Sequence, residues 1–160
     1  MDAKVIWKEK LAFDGTADSG YSLPLDGSRS AGGDENGFRP MELFAIGLAG
    51  CTGMDVVSIM RKKRQEITAF EVRVHVDRAK EYPTVFTKAV VEYLVTGVRV
   101  DQEALVRSVE LSATRYCPAQ AMLGKIMPIE LSYTIFEDQG EESPLRVVSG
   151  VYQPQIEIEG

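Results

Sequence analysis

The stretch 47-GLAGCTGMDVVSIM-60 decides the fold, because it belongs to the most apolar part of the chain and holds one of the two cysteines, Cys51. Pro40 precedes it and suits the first turn of a helix, where its missing N–H would be unpaired anyway. Glu42 in the first turn and the basic residues 61–64 at the far end both complement the helix dipole. The pattern therefore predicts one long helix over residues 40–64.

This helix is apolar nearly all round, and such a helix must be covered on both sides. The run from Leu43 to Met60 has about the length of a membrane span, but Asp55, three glycines and flanking charges favour a buried helix of a soluble protein. A single sheet covers one side only. The glycines recur at every third position and would let another backbone approach closely, so the simplest cover is a second copy of the chain.

Alternating apolar and polar residues on both sides of the helix predict strands. Upstream, residues 3–13 and 20–25 form an opening hairpin or meander, with Asp14-Gly15 and Ser19-Gly20 between them, and residues 26–38 form a loop. Downstream, the predicted strands cover residues 70–79, 85–97, 129–137 and an edge strand near 145–153, before a tail at 156–160.

Two further helices lie between the downstream strands. Asp101 is the expected N-cap of a helix over residues 102–115, and Tyr116-Cys117-Pro118 breaks it and starts a short helix over 118–124. Grouped strands separated by helices predict an α+β fold. The length of 160 residues predicts a single domain over residues 1–160.

Composition narrows the classes of partner. The net charge of −6 argues against nucleic acid or an anionic membrane as the main partner. The N-terminus is polar and alternating, so we expect no signal peptide and a cytoplasmic protein, where cysteines are free or catalytic. One histidine and two cysteines fit no zinc spacing, so we expect no metal site.

The two cysteines differ in their local setting. Cys51, taken alone, is typical of a small buried hydrophobe. Cys117 precedes Pro118 and so caps the short helix, where the dipole and free N–H groups favour the thiolate. Both lie in apolar, helix-rich contexts and the chain has no other cysteine, so we expect them to meet.

Two segments together resemble the OsmC/Ohr superfamily, the osmotically inducible and organic hydroperoxide resistance proteins. FRPMELFAIGLAGCTGMDVVSIM (38–60) and SATRYCPAQAMLG (112–124) are similar to its two cysteine signatures, and the strand YPTVFTKAVVEYLVTG (82–97) also fits. The resemblance covers about residues 2–137. It implies an intertwined α+β homodimer, with antiparallel sheets wrapped around long central helices and both active sites at the subunit interface.

The resemblance also implies a thiol-dependent peroxidase that serves in oxidative-stress defence. Cys51 would attack the peroxide O–O bond and become a sulfenic acid, and Cys117 would condense with it to a disulfide. An external dithiol would then reduce the disulfide, and in the organic hydroperoxide branch this dithiol is a dihydrolipoyl group. The resemblance implies no metal and no bound organic cofactor.

A cation must lower the pKa of the attacking thiol. The better-known branch uses an arginine near the N-terminus, held by a glutamate at the helix start. Residues 2–28 here contain no arginine, and the acid position ten before the cysteine is Met41, so the candidates are Arg39 or Arg29, held by Glu42. Glu42 and Cys51 are nine residues and about 13 Å apart on opposite helix faces, so a bridging arginine or the partner subunit must connect them.

These departures leave a second hypothesis open. On the same fold, the protein would be a non-catalytic, dimeric ligand-binding or redox-sensing module whose thiols fill a pocket or form a disulfide without turnover. A structural disulfide domain is a third hypothesis, and the absent signal peptide counts against it.

Overall fold

The computed structural model describes residues 1–140 and 144–152, and it divides into two compact units, Met1–Ile46 and Gly47–Gly160. The α+β prediction is confirmed, because strands and helices alternate in groups along the chain. In order they are β1 (Ala3–Glu9), β2 (Ala12–Ala17), β3 (Ser22–Leu25), a 3-10 turn (Arg29–Ala31), α1 (Pro40–Lys62), β4 (Glu66–Arg78), β5 (Phe86–Val98), α2 (Gln102–Leu111), a π-helical turn (Ser112–Tyr116), α3 (Pro118–Leu123), β6 (Ile129–Glu137) and β7 (Leu145–Tyr152).

The first unit holds an antiparallel sheet in the order β1-β2-β3. The turn expected at Asp14-Gly15 is wrong, because the chain already reverses at Lys10, which adopts a left-handed φ of 46°. The Trp7 indole N–H donates to the Lys10 carbonyl oxygen at 3.0 Å and holds this reversal. Gly15 lies inside β2, where an added Cβ would come within 2.9 Å of the Leu25 side chain, so close packing explains this glycine.

The loop after β3 folds around the carboxylate of Asp26, which is 3% exposed. Its oxygens accept backbone N–H groups from Gly27 at 2.7 Å, Asp34 at 3.0 Å and Asn36 at 3.1 Å. These hydrogen bonds, with that from Asn36 contributing most, lower the pKa of Asp26. A segment without helix or strand periodicity is therefore held in one shape by a single side chain.

The second unit is built on a four-stranded sheet in the order β4-β5-β6-β7. The expectation of antiparallel sheets is wrong for one pair, because β5 and β6 run parallel, with Ala89 opposite Ile129 and Gly97 opposite Glu137. Parallel neighbours need a long crossover connection, and the segment with α2 and α3 supplies it. The other neighbouring pairs are antiparallel.

The core of the second unit lies between this sheet and the helices. Its fully buried apolar side chains come from α1, α2, β5 and β6: Leu48, Val56, Met60, Val91, Tyr93, Val95, Leu105, Val109, Leu131 and Ile135. Gly53 lets α1 approach β4, since an added Cβ would come within 3.1 Å of Val72. The alternation predicted for β4 is confirmed, because Phe70, Val72, Val74 and Val76 are half-buried and the residues between them are exposed.

One side of α1 is left open within the second unit. Met54 is 73% exposed, and an added Cβ at Gly50 would meet no atom of the described chain within 4 Å. The helix is long and apolar enough to cross a membrane by length and composition alone, and 28% of its most apolar window is buried. The core helix of a soluble protein passes the same test. An uncovered apolar side is what the predicted second copy would cover, and that copy stays a prediction here.

The predicted end of the long helix shifts slightly. α1 ends at Lys62 instead of residue 64, because Arg64 takes a left-handed φ of 57°. The predicted edge strand is confirmed as β7, and the predicted tail at 156–160 lies outside the described residues.

Candidate functional site

The two cysteines, which the sequence predicts to meet, lie in the same unit of the structure. Cys51 lies half-buried in the middle of α1, Cys117 is 2% exposed just before α3, and both are free thiols. The two side chains are neighbours, because the Cys51 side chain is one of the causes that raise the pKa of the Cys117 thiol. Cys117 also caps α3 as expected, since its Sγ accepts the backbone N–H of Gln120 at 3.4 Å and Pro118 is the first helical residue. The chain therefore presents a dithiol with one more accessible and one buried sulfur.

A π-helical turn places Cys117 at this position. The predicted helix over 102–115 is wrong at its end, because α2 stops at Leu111 and residues 112–116 form one wider turn. The backbone N–H of Cys117 closes it by donating to the Ser112 carbonyl at 2.9 Å. Such turns are frequent at functional sites. Pro118 signals that the helix breaks, but residue types 112–116 carry no signal for the wider turn.

The expectation of a lowered Cys117 pKa is wrong. Burial, followed by the neighbouring Cys51 side chain, raises the pKa of the Cys117 thiol to about 12. The N–H groups of Gln120 and Ala119 act in the opposite direction with smaller effect, as α3 is only 6 residues long. Cys117 is therefore a protonated thiol near neutral pH.

This difference predicts selective alkylation. A pKa of about 12 leaves on the order of one Cys117 in 10⁴ as thiolate at pH 8, and only the thiolate reacts with iodoacetamide. We expect the reduced native protein to take up one carbamidomethyl group, on Cys51, and the urea-denatured protein to take up two. Peptide mass spectrometry after a time course at pH 8 measures this. Equal labelling of both cysteines in the native protein would contradict the burial of Cys117.

A buried hydrogen-bonded cluster lies beside the dithiol, and we call it the hydroxyl cluster. Its centre is Thr52, whose Oγ1 hydrogen-bonds the Tyr93 hydroxyl, lies 2.9 Å from Ser112 Oγ and accepts from Gln120 Nε2 at 2.8 Å. Ser112 Oγ donates to Asp55 Oδ2 at 3.0 Å. Burial is the main cause that raises the pKa of Tyr93 to about 12, so this hydroxyl stays protonated.

Sequence reasoning missed the hydroxyl cluster. The only signal was the position of Thr52 and Gln120 in otherwise apolar helical stretches, next to Cys51 and three residues after Cys117. Polar groups buried in such places need hydrogen-bond partners, and the partners here lie 41 to 68 residues away. Only the folded chain identifies them.

Arg39 and Glu42, the other predicted site residues, lie in the first unit and contact each other. Arg39 Nη1 lies 3.3 Å from Glu42 Oε1, and the Arg39 backbone N–H donates to Glu42 Oε2 at 2.9 Å, a contact typical of a helix start. Arg39 Nη2 also lies 3.3 Å from Glu35, which is 3.6 Å from Arg29. The structure thus brings Arg39 and Glu42 together. That this pair stabilises the Cys51 thiolate stays a prediction.

No metal centre is formed by the described residues 1–140 and 144–152, since they contain no group of three or more His, Cys, Asp or Glu side chains placed to hold an ion. His75 is exposed on β4, with Nε2 3.3 Å from Asp77 Oδ1. The second unit therefore holds the dithiol and its neighbouring hydroxyl cluster, and the first unit holds the Arg39–Glu42 pair.

The fold and the neighbouring cysteines define an α+β protein with a dithiol site. Residues 32–132 match the family model described as OsmC-like protein, and the chain belongs to this family. It is 38% identical over 135 residues to Protein YhfA of Escherichia coli (strain K12). The aligned region covers 84% of this chain and 98% of that protein.

Solved structures agree on the fold. A hypothetical protein from Aquifex aeolicus VF5 is 24% identical with a TM-score of 0.75, covering 86% of this chain and 97% of that one. An organic hydroperoxide resistance protein OsmC from Legionella pneumophila is 18% identical with a TM-score of 0.60, and the match covers 82% of this chain and 94% of that one. At these identities the similarity concerns the fold.

Proposed function

We propose that this protein is a thiol peroxidase that reduces organic hydroperoxides with the Cys51–Cys117 dithiol. The observation that carries the proposal is a half-buried thiol on α1 beside a buried, protonated thiol before α3. A peroxidase that ends its cycle in a disulfide needs two neighbouring cysteines that can be bridged. The Legionella protein, named for organic hydroperoxide resistance, shares the fold and supports the choice of substrate class.

Cys51 is the attacking residue in this proposal, because its sulfur is the more exposed of the two. Its thiolate attacks one oxygen of the hydroperoxide, an S–O bond forms and the O–O bond breaks. The leaving alkoxide takes a proton and departs as the alcohol, and Cys51 is oxidised to a sulfenic acid. The buried Cys117 keeps its proton through this step.

Cys117 then resolves the sulfenic acid. Its sulfur attacks the Cys51 sulfur, the S–S bond forms, the S–O bond breaks, and the hydroxide leaves as water with the Cys117 proton. An external dithiol, of the dihydrolipoyl type, reduces the disulfide by exchange and returns both thiols. The cycle uses no metal and no bound organic cofactor, and a reducing, cytoplasmic setting supplies the dithiol.

Arg39 is the proposed cation that stabilises the Cys51 thiolate, from this chain or from a partner subunit. The ion pair between the Arg39 guanidinium and Glu42 at the start of α1 supports this role. The resemblance implies an arginine that is held by a glutamate at the helix start. Arg29 contacts only Glu35, through its Nε, in the described part of the first unit. A fixed guanidinium favours the negative sulfur and later the developing charge on the leaving oxygen.

A coupled assay tests the function. Purified reduced protein is mixed with cumene hydroperoxide and dihydrolipoamide, and peroxide loss is followed over many equivalents. Sustained consumption above a protein-free control supports the peroxidase. Consumption of one equivalent with either dithiothreitol or dihydrolipoamide present, followed by no turnover, would favour the second candidate.

That second candidate is a redox-sensing module on the same fold. The observation in its favour is that the Arg39 guanidinium is already paired with two carboxylates, Glu42 and Glu35, which oppose its charge. In a sensor the dithiol oxidises once and reports through its disulfide. The net charge of −6 favours neither nucleic acid nor an anionic membrane as the partner of either candidate.

We also propose that the protein is a homodimer that covers the open side of α1. Met54→Glu would place a charge in the covered interface and is expected to shift the protein to monomer, because an unpaired buried charge is costly. Light scattering at micromolar concentration measures the mass. Lys62→Gln, at the exposed end of α1, changes the net charge by the same amount and should remain dimeric. A monomeric wild-type protein would refute the proposal.

A further inference from the structure

The hydroxyl cluster connects the helix that carries Cys51 to the one that follows Cys117. Thr52 is the next residue after Cys51 on α1, and it is fully buried. Gln120 lies on α3 and is 5% exposed, and its side-chain N–H donates to Thr52 Oγ1 at 2.8 Å. The backbone N–H of the same Gln120 donates to Cys117 Sγ at 3.4 Å. Gln120 therefore donates hydrogen bonds both to the sulfur of Cys117 and to the side chain of Thr52, the residue next to Cys51.

Tyr93 and Ser112 complete this connection. The Tyr93 hydroxyl comes from the centre of β5, contacts Thr52 and lies 3.4 Å from Gln120 Nε2. Ser112 contributes its hydroxyl to Thr52 and its carbonyl to the backbone of Cys117. No buried side-chain nitrogen or oxygen in the described residues lacks a hydrogen-bond partner, so the cluster is fully satisfied. A satisfied buried network has one preferred arrangement and holds its members rigidly.

We propose that Thr52 and Gln120 are positioning residues, which keep the Cys117 sulfur at the Cys51 sulfur for the disulfide step. This inference deepens the proposed peroxidase function and rests on it. Neither residue touches a reacting oxygen. They act through the placement of α3, which carries no other buried side chain: Met122 is 65% exposed and Ala121 is exposed as well.

The short helix explains why positioning is needed. α3 has 6 residues and follows a π-helical turn, so its own hydrogen bonds stabilise it weakly. The disulfide step joins two sulfurs of one chain, and its rate and equilibrium depend on their effective concentration. A misplacement of about 1 Å can cost on the order of 100-fold in such a step. The contact between Thr52 and Gln120 removes that freedom.

The equilibrium between the dithiol and its disulfide tests the proposal without any peroxide. The folded protein is equilibrated with mixtures of reduced and oxidised glutathione at pH 7, acid-quenched and analysed by mass spectrometry after alkylation. Thr52→Val removes the hydroxyl at nearly constant shape, and Gln120→Met removes the side-chain donor. Each is expected to lower the equilibrium constant for disulfide formation by about tenfold, because the sulfurs lose effective concentration.

Two matched variants separate positioning from general destabilisation. Thr52→Ser keeps the hydroxyl and is expected to stay within about twofold of the wild type. Ser108→Ala removes another fully buried hydroxyl, which donates to the Ala104 carbonyl at 2.6 Å within α2, and is expected to leave the equilibrium unchanged. Urea unfolding of every variant checks that it is folded, and the equilibrium is compared among folded variants. If Thr52→Val proves to be destabilised, Gln120→Met still tests the same contact, because its change lies on another helix.

The outcomes decide the proposal separately from the peroxidase function. Wild-type equilibrium constants in both Thr52→Val and Gln120→Met would overturn the positioning role, and so would an equal fall in Ser108→Ala. If the constants fall as expected but the wild-type protein shows no peroxide turnover, positioning stands and the peroxidase proposal fails. In a catalytically active protein, both variants should also lengthen the lifetime of the Cys51 sulfenic acid, measured by dimedone trapping, with the expected rise in trapped product about tenfold.

Discussion

Replacing Cys51 with serine is expected to reduce peroxide turnover to the protein-free background, a loss on the order of 10³-fold or more, because the reacting nucleophile is removed. The remaining thiol cannot replace it. Burial raises the pKa of Cys117 to about 12, so it carries almost no thiolate at neutral pH, and the residue is 2% exposed. Cumene hydroperoxide consumption with dihydrolipoamide as reductant measures this effect.

Cys117→Ser is the matched variant, and its expected result is different in kind. Cys51 still reacts with the first equivalent of hydroperoxide, but no second thiol is present to form the disulfide, so the sulfenic acid accumulates. Mass spectrometry after one equivalent should find sulfenic acid on Cys51 in Cys117→Ser and a largely unoxidised Cys117 in Cys51→Ser. Fast oxidation of Cys117 in the second variant would reverse the two roles. Oxidation of neither variant would contradict the peroxidase and favour a non-catalytic module whose thiols only fill a pocket.

The free energy of unfolding is expected to fall steeply at alkaline pH. Burial raises the pKa of Cys117 from 9.0 to about 12 and that of Tyr93 from 10.0 to about 12. Above pH 9 the unfolded chain releases these protons while the folded chain keeps them. Stability that is fully present below pH 9 is therefore lost as the pH rises toward 12.

Cys117→Ser isolates one of the two groups, because serine does not titrate in this range. Relative to this variant, the reduced wild-type protein is expected to lose about 2 kcal/mol of unfolding free energy between pH 7.5 and pH 10.5. Urea unfolding at a series of pH values in the presence of a phosphine reductant measures the difference. Tyr93→Phe should remove a smaller part of this loss of unfolding free energy, about 1 kcal/mol, because the ordinary pKa of tyrosine is higher than that of cysteine. Parallel profiles for wild type and Cys117→Ser would show that the folded environment does not raise the pKa of Cys117.

Local sequence patterns predicted most of the elements. Pro40, the apolar run after it and the basic residues at its end set α1 to within two residues of the observed helix. Period-two alternation predicted β4, β5 and β6, and Asp101 caps α2 as expected, with its side chain accepting the Glu103 N–H at 3.0 Å. These predictions succeed because helix caps and alternation depend on residues within one or two turns of each other.

The failures share a different origin. Asp14-Gly15 looks like a turn, but Gly15 is needed where the Leu25 side chain packs, and that residue is ten positions away. The parallel pairing of β5 and β6 depends on where the intervening helices return the chain. In each case a long-range contact outweighs a local preference, because burial and close packing contribute more free energy than turn propensity does.

The sequence by itself determined the α+β class, the long apolar helix and the two cysteine-bearing segments, since all of these follow from residue types at short spacing. Only the tertiary structure decided the chemistry of the dithiol. It buries Cys117 against Cys51 and so raises a pKa that the helix N-cap alone would lower. It also assembles Thr52, Tyr93, Ser112 and Gln120 from α1, β5, the π-helical turn and α3. The physical reason is that desolvation and buried hydrogen bonds depend on every group that surrounds an atom, and those groups come from distant parts of the chain.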